Sequence, residues 1–600
     1  MITRPLLVAA LGIIACARGS TLVVPAPAAV APQPTSVPAA VAPLADTSAW
    51  VEQTLAALTL RQRIAQMTMF WMLGDYTSVD DSTFREVVRW VQDEGVGGLT
   101  MSLGTPIEVA AKVNYLQRRA RVPLLVSSDL EPALMRLEPA IFPHYLLETG
   151  GATEFPTAMA IAATGRDQDV FDVAQAIGRE ARAVGIHINF APTVDVNVNP
   201  NNPVIGTRSF GEDPQRVARL SELFVRGTHA AGVLATAKHF PGHGDTDVDS
   251  HVGLPVVTAD PARLNAVELV PFRAAINAGA DLVMSAHIAL PAFGGDSATP
   301  ATLRRDVMQT LLRDSLGFRG ITITDALSME GVGKGYTIEE SVVQAIRAGT
   351  DILLRPGDDV SRAITAVVGA VERGDIPAAR IDSSVRRILW TKARVGLATK
   401  REVSLEDVRT VVATAEHLKL AEEVAQRALT MLRDSGATVP LPSGRVALIH
   451  YMPETELKAG RAFQREMTRL RPGARLVAKL SPATAQSQLD SIARTLQGAD
   501  AIVIGAFVRR VEGEGRTTVP PHVAAWIDSV ASGPQAAVIA FGNPYLIRQF
   551  PRTRTYINAY GVGDALEIAA ARALAGAASI SGVSPVSLPG FFKVGDGIRR

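Results

Sequence analysis

One cysteine, five tryptophans and eight tyrosines are all that 600 residues hold of those types, and aromatic side chains together make up 5%. A lone cysteine excludes an internal disulfide and any zinc cage built from several thiolates. Lysine is scarce as well, nine of the sixty basic residues, so a lysine inside a motif is informative. Neither sign of charge is in surplus: sixty basic residues face fifty-nine acidic ones, a net charge of +1. That balance gives no general attraction to nucleic acid or to an anionic membrane surface. No run of about 18–20 apolar residues occurs, which excludes a transporter or channel built from membrane-spanning helices. What remains is ordinary globular usage, 47% hydrophobic and 20% charged, and the chain is long enough for two substantial cores. Nothing in the composition supports a cofactor or a metal.

The single cysteine is Cys16. Met1–Arg4 supply a short positive start, and Leu6–Ile14 form an apolar run broken only by a glycine. That layout reads as a signal peptide over residues 1–15. Ile13-Ile14-Ala15-Cys16 resembles a bacterial lipobox, in which the cysteine becomes the acylated N-terminus, and acylation is expected rather than an incidental cysteine. Two or three acyl chains, at about 0.8 kcal/mol per buried CH₂, make a stable anchor. Residues 16–48, rich in Pro, Ala and Val over 24–44, read as a tether. The expected location is the cell envelope, with the membrane touched through this lipid alone.

From residue 49 to 400 short β-rich runs alternate with amphipathic helical stretches. Candidate strands are 97–101, 123–128, 186–192, 233–239, 282–287, 321–325 and 352–355, with an eighth near 66–70. Candidate helices are 169–184, 214–231, 261–278, 303–315 and 338–348. Such alternation implies parallel strands with right-handed crossovers, and eight units imply a (β/α)₈ TIM-type barrel. Asp129, Asp195, Lys238, His239, His287 and Asp325 fall at strand C-termini, where a barrel builds its active site. A doubly wound sheet would gather ligands at the same ends, so the clustering alone does not demand closure. Residues 401–432 read as a helical linker. Residues 433–600 read as a smaller three-layer α/β/α sandwich, with strands at 445–450, 501–505, 537–541 and 555–559 and helices at 457–470 and 485–497.

Three of the ten histidines crowd into Lys238-His239-Phe240-Pro241-Gly242-His243-Gly244-Asp245-Thr246-Asp247-Val248-Asp249-Ser250-His251. His239 and His243 have the spacing of a helical zinc pair, but Pro241 and Gly242 between them argue against a helix. Asp249 and His251, two apart on a loop, can converge so that the carboxylate orients the imidazole. From spacing alone, a general acid/base and a loop histidine hydrogen-bonded to an aspartate stand equally open. His287 reads as a packed histidine near the site, and His187 and His229 as structural or exposed.

The run Lys-His-Phe-Pro-Gly-His-Gly, four residues, then Asp-Ser-His resembles the signature of glycoside hydrolase family 3, NagZ-type β-N-acetylglucosaminidases. Phe155-Pro156-Thr157-Ala158-Met159, Asn189 to Val196, Gly206 to Gly211, Met284-Ser285-Ala286-His287 and Ile323 to Leu327 follow the family's order, and Phe541-Gly542-Asn543-Pro544-Tyr545 extends the likeness weakly into the second domain. The resemblance implies Asp325 as catalytic nucleophile and His251 as general acid/base with Asp249 as its partner. It implies Asp129, Arg136, Arg208, Lys238 and His239 as sugar ligands. One departure shows: the family usually has Asp-x-Glu followed by Gly or Trp-Gly, where this chain has Asp129-Leu130-Glu131-Pro132-Ala133, and the loop before Met135-Arg136 is about one residue shorter.

The expectation is a retaining exo-hydrolase releasing terminal β-linked N-acetylglucosamine, from peptidoglycan fragments or chitin oligomers, acting as a monomer without cofactor. Retaining glycosidases flank the scissile bond with a nucleophile and an acid/base. Three alternatives accompany it. A β-glucosidase-like relative would use a glutamate of the second domain, Glu512 or Glu514. A phosphorylase would exploit an imidazole that repels phosphate less than a carboxylate does. A cell-wall-binding lipoprotein would keep the barrel without activity.

Overall fold

The computed structural model describes residues 47–132, 140–142, 147–294, 298–454, 456–509 and 517–600. The signal peptide with its tether up to residue 46, Cys16, Arg136, Glu512 and Glu514 lie outside the described residues.

Eight parallel strands make the first sheet: β1 (Thr68–Leu73), β2 (Gly98–Ser102), β3 (Leu125–Ser128), β6 (Ile188–Asn189), β7 (Leu234–Phe240), β8 (Leu282–Ser285), β9 (Ile321–Thr324) and β10 (Leu353–Leu354). A short antiparallel pair, β4 (Ala140–Phe142) with β5 (Leu147–Thr149), is inserted after β3. Each barrel strand pairs with its neighbour in the chain, and β10 returns to β1 with Leu353 opposite Thr68. The last seam, between β9 and β10, is narrower. It is held by the Ile323–Ile352 bridge and by Thr324 Oγ1, which accepts the Leu354 N–H at 3.0 Å. The barrel expected from the strand–helix alternation is present and nearly closed.

Helices start where the chain supplies caps. Thr105 and Glu108 form a reciprocal box before Pro106–Gln117, Asp213 caps Pro214–Ala230, and Thr337 with Glu340 caps Ile338–Ala348. The strands between them are covered on both faces, and every residue of β7 is buried. Two of the elements that differ from expectation do so because of proline. The stretch 261–278 is two helices, Pro261–Ala266 and Leu269–Asn277, since Pro271 lacks an N–H and its ring crowds the carbonyl of Val267. The strand expected over 186–192 keeps only two residues because Pro192 cannot donate to the ladder; pairing resumes at a single Thr193–Lys238 bridge.

The second sheet is mixed and six-stranded: β11 (Thr430–Asp434), β12 (Val446–Tyr451), β13 (Ala474–Leu480), β14 (Ala501–Val508), β15 (Ala536–Gly542) and β16 (Thr555–Asn558), in the order β11-β16-β15-β14-β12-β13. Only β11 runs antiparallel to its neighbour. Helices Ala415–Ala428, Arg461–Leu470 and Asp564–Leu574 pack as one layer, and Gln486–Thr495 with Pro521–Ala531 as the other. Both strands of this sheet missed in the sequence, β11 and β13, are its edges. β13 alternates buried with exposed positions and turns Arg475 and Lys479 outward, the charged composition that protects an edge and weakens its signal. No described helix is long and apolar enough to cross a membrane.

Candidate active site

The end of β7 explains why the histidine-rich run has its composition. Its pairing with β8 shifts register between Ala237 and Phe240, and Lys238 and His239 both line one cavity. The chain then turns back on itself. Gly242 sits at φ +135°, and a Cβ on Gly244 would overlap the Val196 carbonyl. Asp195, just past β6, anchors the turn. Its Oδ2 accepts the His239 backbone N–H at 3.1 Å and the imidazole Nδ1–H at 2.8 Å, and its Oδ1 accepts the His243 N–H at 2.6 Å. Burial works against a charge on Asp195, but the neighbouring His239 outweighs it and holds the carboxyl below its usual range. With Nδ1 committed to Asp195, His239 Nε2 faces the guanidinium of Arg208 at 3.3 Å.

Glu131 is the centre of a buried charge network. Arg208 grips it with two parallel bonds, Nε to Oε2 at 2.8 Å and Nη2 to Oε1 at 2.6 Å. Lys238 Nζ lies 2.6 Å from Glu131 Oε1 and donates to Asp129 Oδ1 at 2.9 Å. Burial alone would neutralise Glu131, yet Arg208 and Lys238 hold it well below the ordinary carboxylate range. Burial likewise opposes the charge of Lys238, and Asp129 with Glu131 reverses that and raises its ammonium above the usual lysine value.

Asp325 follows β9 and lines the same cavity. Its Oδ1 accepts the Ala326 N–H at 2.7 Å. Burial raises its pKa, but His239, His287 and His251 together prevail and keep it below the ordinary aspartate value. His287, fully buried, packs behind it with Nε2 bound to the Ala326 carbonyl at 3.0 Å and Nδ1 to Thr302 at 2.9 Å. His187 is buried in the barrel, and His229 is half-buried against Asp281.

Asp249 and His251 converge, as their spacing allowed. Asp249 Oδ1 lies 2.6 Å from His251 Nδ1 and also accepts the His251 backbone N–H at 3.0 Å. Asp249 is buried, while the imidazole is about a quarter exposed toward the cavity. Two neighbours brace this loop: His243 bridges Thr246 and Ser250, and Gly331, beyond β9, donates its N–H to the Ser250 carbonyl at 3.0 Å. A Cβ on Gly331 would come within 2.9 Å of that carbonyl. The loop after β9 thereby fixes the loop after β7.

The cavity measures about 390 Å³. Asp129, Arg208, Lys238, His239, His251 and Asp325 line it, Asp249 stands behind His251, and a second wall is made of Trp71, Leu103, Met284, Met329 and Arg355. Sequence reasoning passed over Glu131 as a site residue and gave Asp195 no partner. Two cations assigned to one site, Arg208 and Lys238, already called for a further buried carboxylate, and Glu131 stands two residues after Asp129. Trp71 and Arg355 carry no comparable signal. Among the described residues no cluster of three or more His, Cys, Asp or Glu is arranged to hold a metal ion.

Polar side chains converging at the C-terminal mouth of a nearly closed barrel define an α/β-barrel enzyme site. Residues 59–391 match the glycosyl hydrolase family 3 N-terminal domain. Over 570 residues the chain is 30% identical to a beta-N-acetylglucosaminidase/beta-glucosidase of Cellulomonas fimi, spanning 90% of this chain and 96% of that one. A family 3 beta-N-acetylglucosaminidase structure from Paenibacillus sp. str. FPU-7 superposes with a TM-score of 0.77 at 33% identity, over 89% of this chain and 99% of the other. A beta-glucoside phosphorylase bound to 2FGlc shares the fold, with a TM-score of 0.78 at 23% identity over 91% and 97% of the two chains. The chain belongs to glycosyl hydrolase family 3 and is a glycosidase.

Proposed function

We propose that the chain is a retaining exo-β-N-acetylglucosaminidase working through a glycosyl ester on Asp325, with His251 as acid and then base. The observation that carries this reading is the 2.6 Å bond from His251 to buried Asp249, on a loop that lines the same cavity as Asp325. Asp325 Oδ1 is held by Ala326, so Oδ2 attacks the anomeric carbon while the bond to the leaving oxygen breaks. With Nδ1 committed to Asp249, His251 Nε2 delivers the proton to that oxygen. In the second half, neutral His251 takes a proton from water, the water oxygen bonds to the anomeric carbon, and the Asp325 carboxylate is released. Asp129, Lys238, Arg208 and His239 hold the sugar hydroxyls in attack geometry. The likeness to the Paenibacillus enzyme named for N-acetylglucosamine release supports that sugar, and the Cellulomonas fimi relative is named for both that sugar and glucose. Peptidoglycan fragments as substrate and a monomeric state complete the proposal, with a lipid anchor on Cys16 at the cell envelope, for which the lipobox-like run Ile13–Cys16 is the support.

Hydrolysis of aryl β-N-acetylglucosaminides of graded leaving-group acidity, beside the matching β-glucosides and with and without phosphate, tests it. His251→Ala is expected to slow poor leaving groups far more than activated ones, because an activated phenolate needs little protonation. Glu512→Gln and Glu514→Gln are expected to leave both alike. A glutamate variant that shows the leaving-group dependence instead, or turnover that requires phosphate, would overturn the reading.

A further inference from the structure

His239, His243 and His251 all line the cavity, and the chemistry above uses only the first and the last. His243 is enclosed, and burial pushes its pKa down to about 4, so its ring is neutral at working pH. Its partners fix where the ring proton sits. Thr246 Oγ1 lies 3.0 Å from the His243 carbonyl oxygen and 2.7 Å from Nδ1. Two enclosed oxygens that close need a proton between them, and the threonine has only one, so it donates to the carbonyl. Nδ1 must then carry the ring proton and donate to Thr246. That leaves Nε2 bare, and it accepts the Ser250 hydroxyl at 3.1 Å.

Asn202 extends the chain in the other direction. Its Oδ1 accepts the N–H groups of Val204 and Ile205 at 2.8 and 2.7 Å, which settles the orientation of the amide. Nδ2 then donates to the His243 carbonyl at 2.8 Å and to Thr246 Oγ1 at 3.3 Å. Both ends of the chain carry groups assigned to the substrate. The carbonyls of Val204 and Ile205 accept from Arg208, from Nη1 at 3.2 Å and from its backbone N–H at 2.9 Å. Ser250, at the far end, stands between Asp249 and His251. Asn202, His243, Thr246 and Ser250 are buried, and every polar atom of their side chains has a partner.

We propose that Asn202 and His243 are positioning residues for the acid/base: they tie the segment that grips the sugar through Arg208 to the loop that aligns His251, with His243 set as its Nδ1–H tautomer. The inference rests on the reading of His251 as acid and deepens it by naming what aims that acid. Apolar packing would also hold a loop. A fully bonded buried chain holds it in one orientation, and delivery of a proton to one oxygen requires that.

The test compares kcat/KM per folded molecule across aryl β-N-acetylglucosaminides of graded leaving-group acidity. A general loss of structure slows the whole series alike, whereas a misaligned acid slows the poor leaving groups most. Thr246→Val keeps the shape and removes the hydroxyl. It is expected to lose about ten- to hundredfold on the poorest leaving group and less than about threefold on the most activated. Thr246→Ser, which restores the hydroxyl, is expected to stay within about twofold of wild type throughout. Ser250→Ala is the milder variant if Thr246→Val folds poorly. It is expected to tilt the series in the same sense by about three- to tenfold, since Gly331 still holds the Ser250 carbonyl. Asn202→Ala is expected to tilt the series and to raise KM as well, because both ends of the chain are released. Nitrogen NMR of histidine-labelled protein, with His243 assigned by its loss in His243→Gln, is expected to show an Nδ1–H ring at neutral pH. A uniform loss across the series in Thr246→Val and Ser250→Ala, a Thr246→Ser variant that fails to recover, a rise in KM without tilt in Asn202→Ala, or an Nε2–H ring would overturn the proposal. Absence of leaving-group dependence in His251→Ala would instead overturn the functional reading, a separate result.

Discussion

Glu131 and Asp351 are two enclosed carboxylates of one barrel, at opposite ends of its strands. Glu131 follows β3 at the C-terminal mouth, and Asp351 precedes β10 at the N-terminal end. Each is ringed by cations: Glu131 by Arg208 and Lys238, and Asp351 by Arg313 at 2.6 Å, Arg387 at 2.9 Å and Arg380 at 3.4 Å. In both, burial opposes the charge and the cations overcome it, so both carboxyls titrate below their usual range. A buried, perturbed ion pair therefore does not by itself mark a site. What separates the two is access. Glu131 and its cations open onto the cavity at the barrel mouth, whereas Asp351 spends its remaining capacity on Thr322 and Ser384 and does not line that cavity. The mouth of the barrel holds charge for a ligand, and its base holds charge for the fold.

A third enclosed carboxylate breaks the pattern hardest. Asp325 has neither arginine nor lysine within ion-pair distance among the described residues and is kept ionised by imidazoles, so its substitution leaves no cation orphaned. Asp325→Asn is expected to lower kcat by about four orders of magnitude or more while the urea midpoint stays near wild type. Initial rates on an aryl β-N-acetylglucosaminide and an equilibrium urea titration check both halves. Turnover near normal would remove Asp325 from the chemistry.

The paired carboxylates give the next largest effects, with the burden exchanged. Asp351→Ala strands three arginines and is expected to cost about 3–5 kcal/mol of stability, with kcat/KM per folded molecule near wild type. Glu131→Gln releases Arg208 and Lys238 beside a solvated cavity, and the expected loss falls on KM more than on stability. Urea midpoints and Michaelis parameters on both variants decide it. An Asp351 variant that loses activity at full folding would mean that position along the strands does not divide the two roles.

The same contrast shows what sequence could and could not carry. The end of β7 was legible because its constraints are local: the cramped turn at Gly242 and Gly244, and two partners two residues apart at Asp249 and His251. Barrel strands were legible because burial on both faces makes them continuous apolar runs. Glu131 was harder, since its partners stand 77 and 107 residues away, and no local pattern announces a three-body charge network. Asp351 gathers its arginines from two helices, and Arg355 meets Trp71 only through the β10–β1 seam that closes the barrel. The edge strand β13 was lost for a different reason: Arg475 and Lys479 on its outward positions interrupt the apolar run, and β11, buried over Thr430–Leu432, was read as the end of the helical linker.

Titration extends the comparison from the barrel to the sandwich. His243 in the barrel and His450 in the sandwich are both buried, and burial pushes each down to about 4. The unfolded chain, near 6.5, binds protons before either folded site does, so each contributes stability that is full above pH 6.5 and is lost as pH falls toward 4. The loss is at most about 3 kcal/mol per group. Glu567, raised to about 7 by burial, has the opposite sign: its folded carboxyl keeps a proton that the unfolded chain has released, so its contribution falls as pH climbs from 4.5 through 7. Both ring nitrogens of His243 have hydrogen-bond partners, Thr246 and Ser250, whereas neither ring nitrogen of His450 has a partner among the described residues. His450→Leu is thus expected to flatten the acid limb of urea midpoint against pH between 6.5 and 4.5, without loss of stability at pH 7.5. An unchanged limb would show that His450 is solvated in the folded state.

The smallest expected effect asks whether the sandwich touches the chemistry at all. None of its described residues lines the cavity, but it grips the barrel segment that carries Arg208. Asn197 Nδ2 donates to Tyr545 Oη at 2.9 Å, Arg548 Nη1 to Asn201 Oδ1 at 2.9 Å, and Glu212 accepts from Ser587 N and Oγ at 2.8 and 2.6 Å. Tyr545→Phe keeps the ring and deletes one acceptor from a buried amide, a loss of about 1 kcal/mol. If the sandwich acts only as a brace, that loss appears in the urea midpoint and KM moves by less than about twofold, because Arg208 remains locked by two bonds to Glu131. If KM instead rises as far as in Glu131→Gln, the strain has passed along residues 197–208 to the guanidinium, and the sandwich belongs to the site. The two outcomes differ in which parameter moves, so one pair of measurements on one conservative variant separates a brace from a working part.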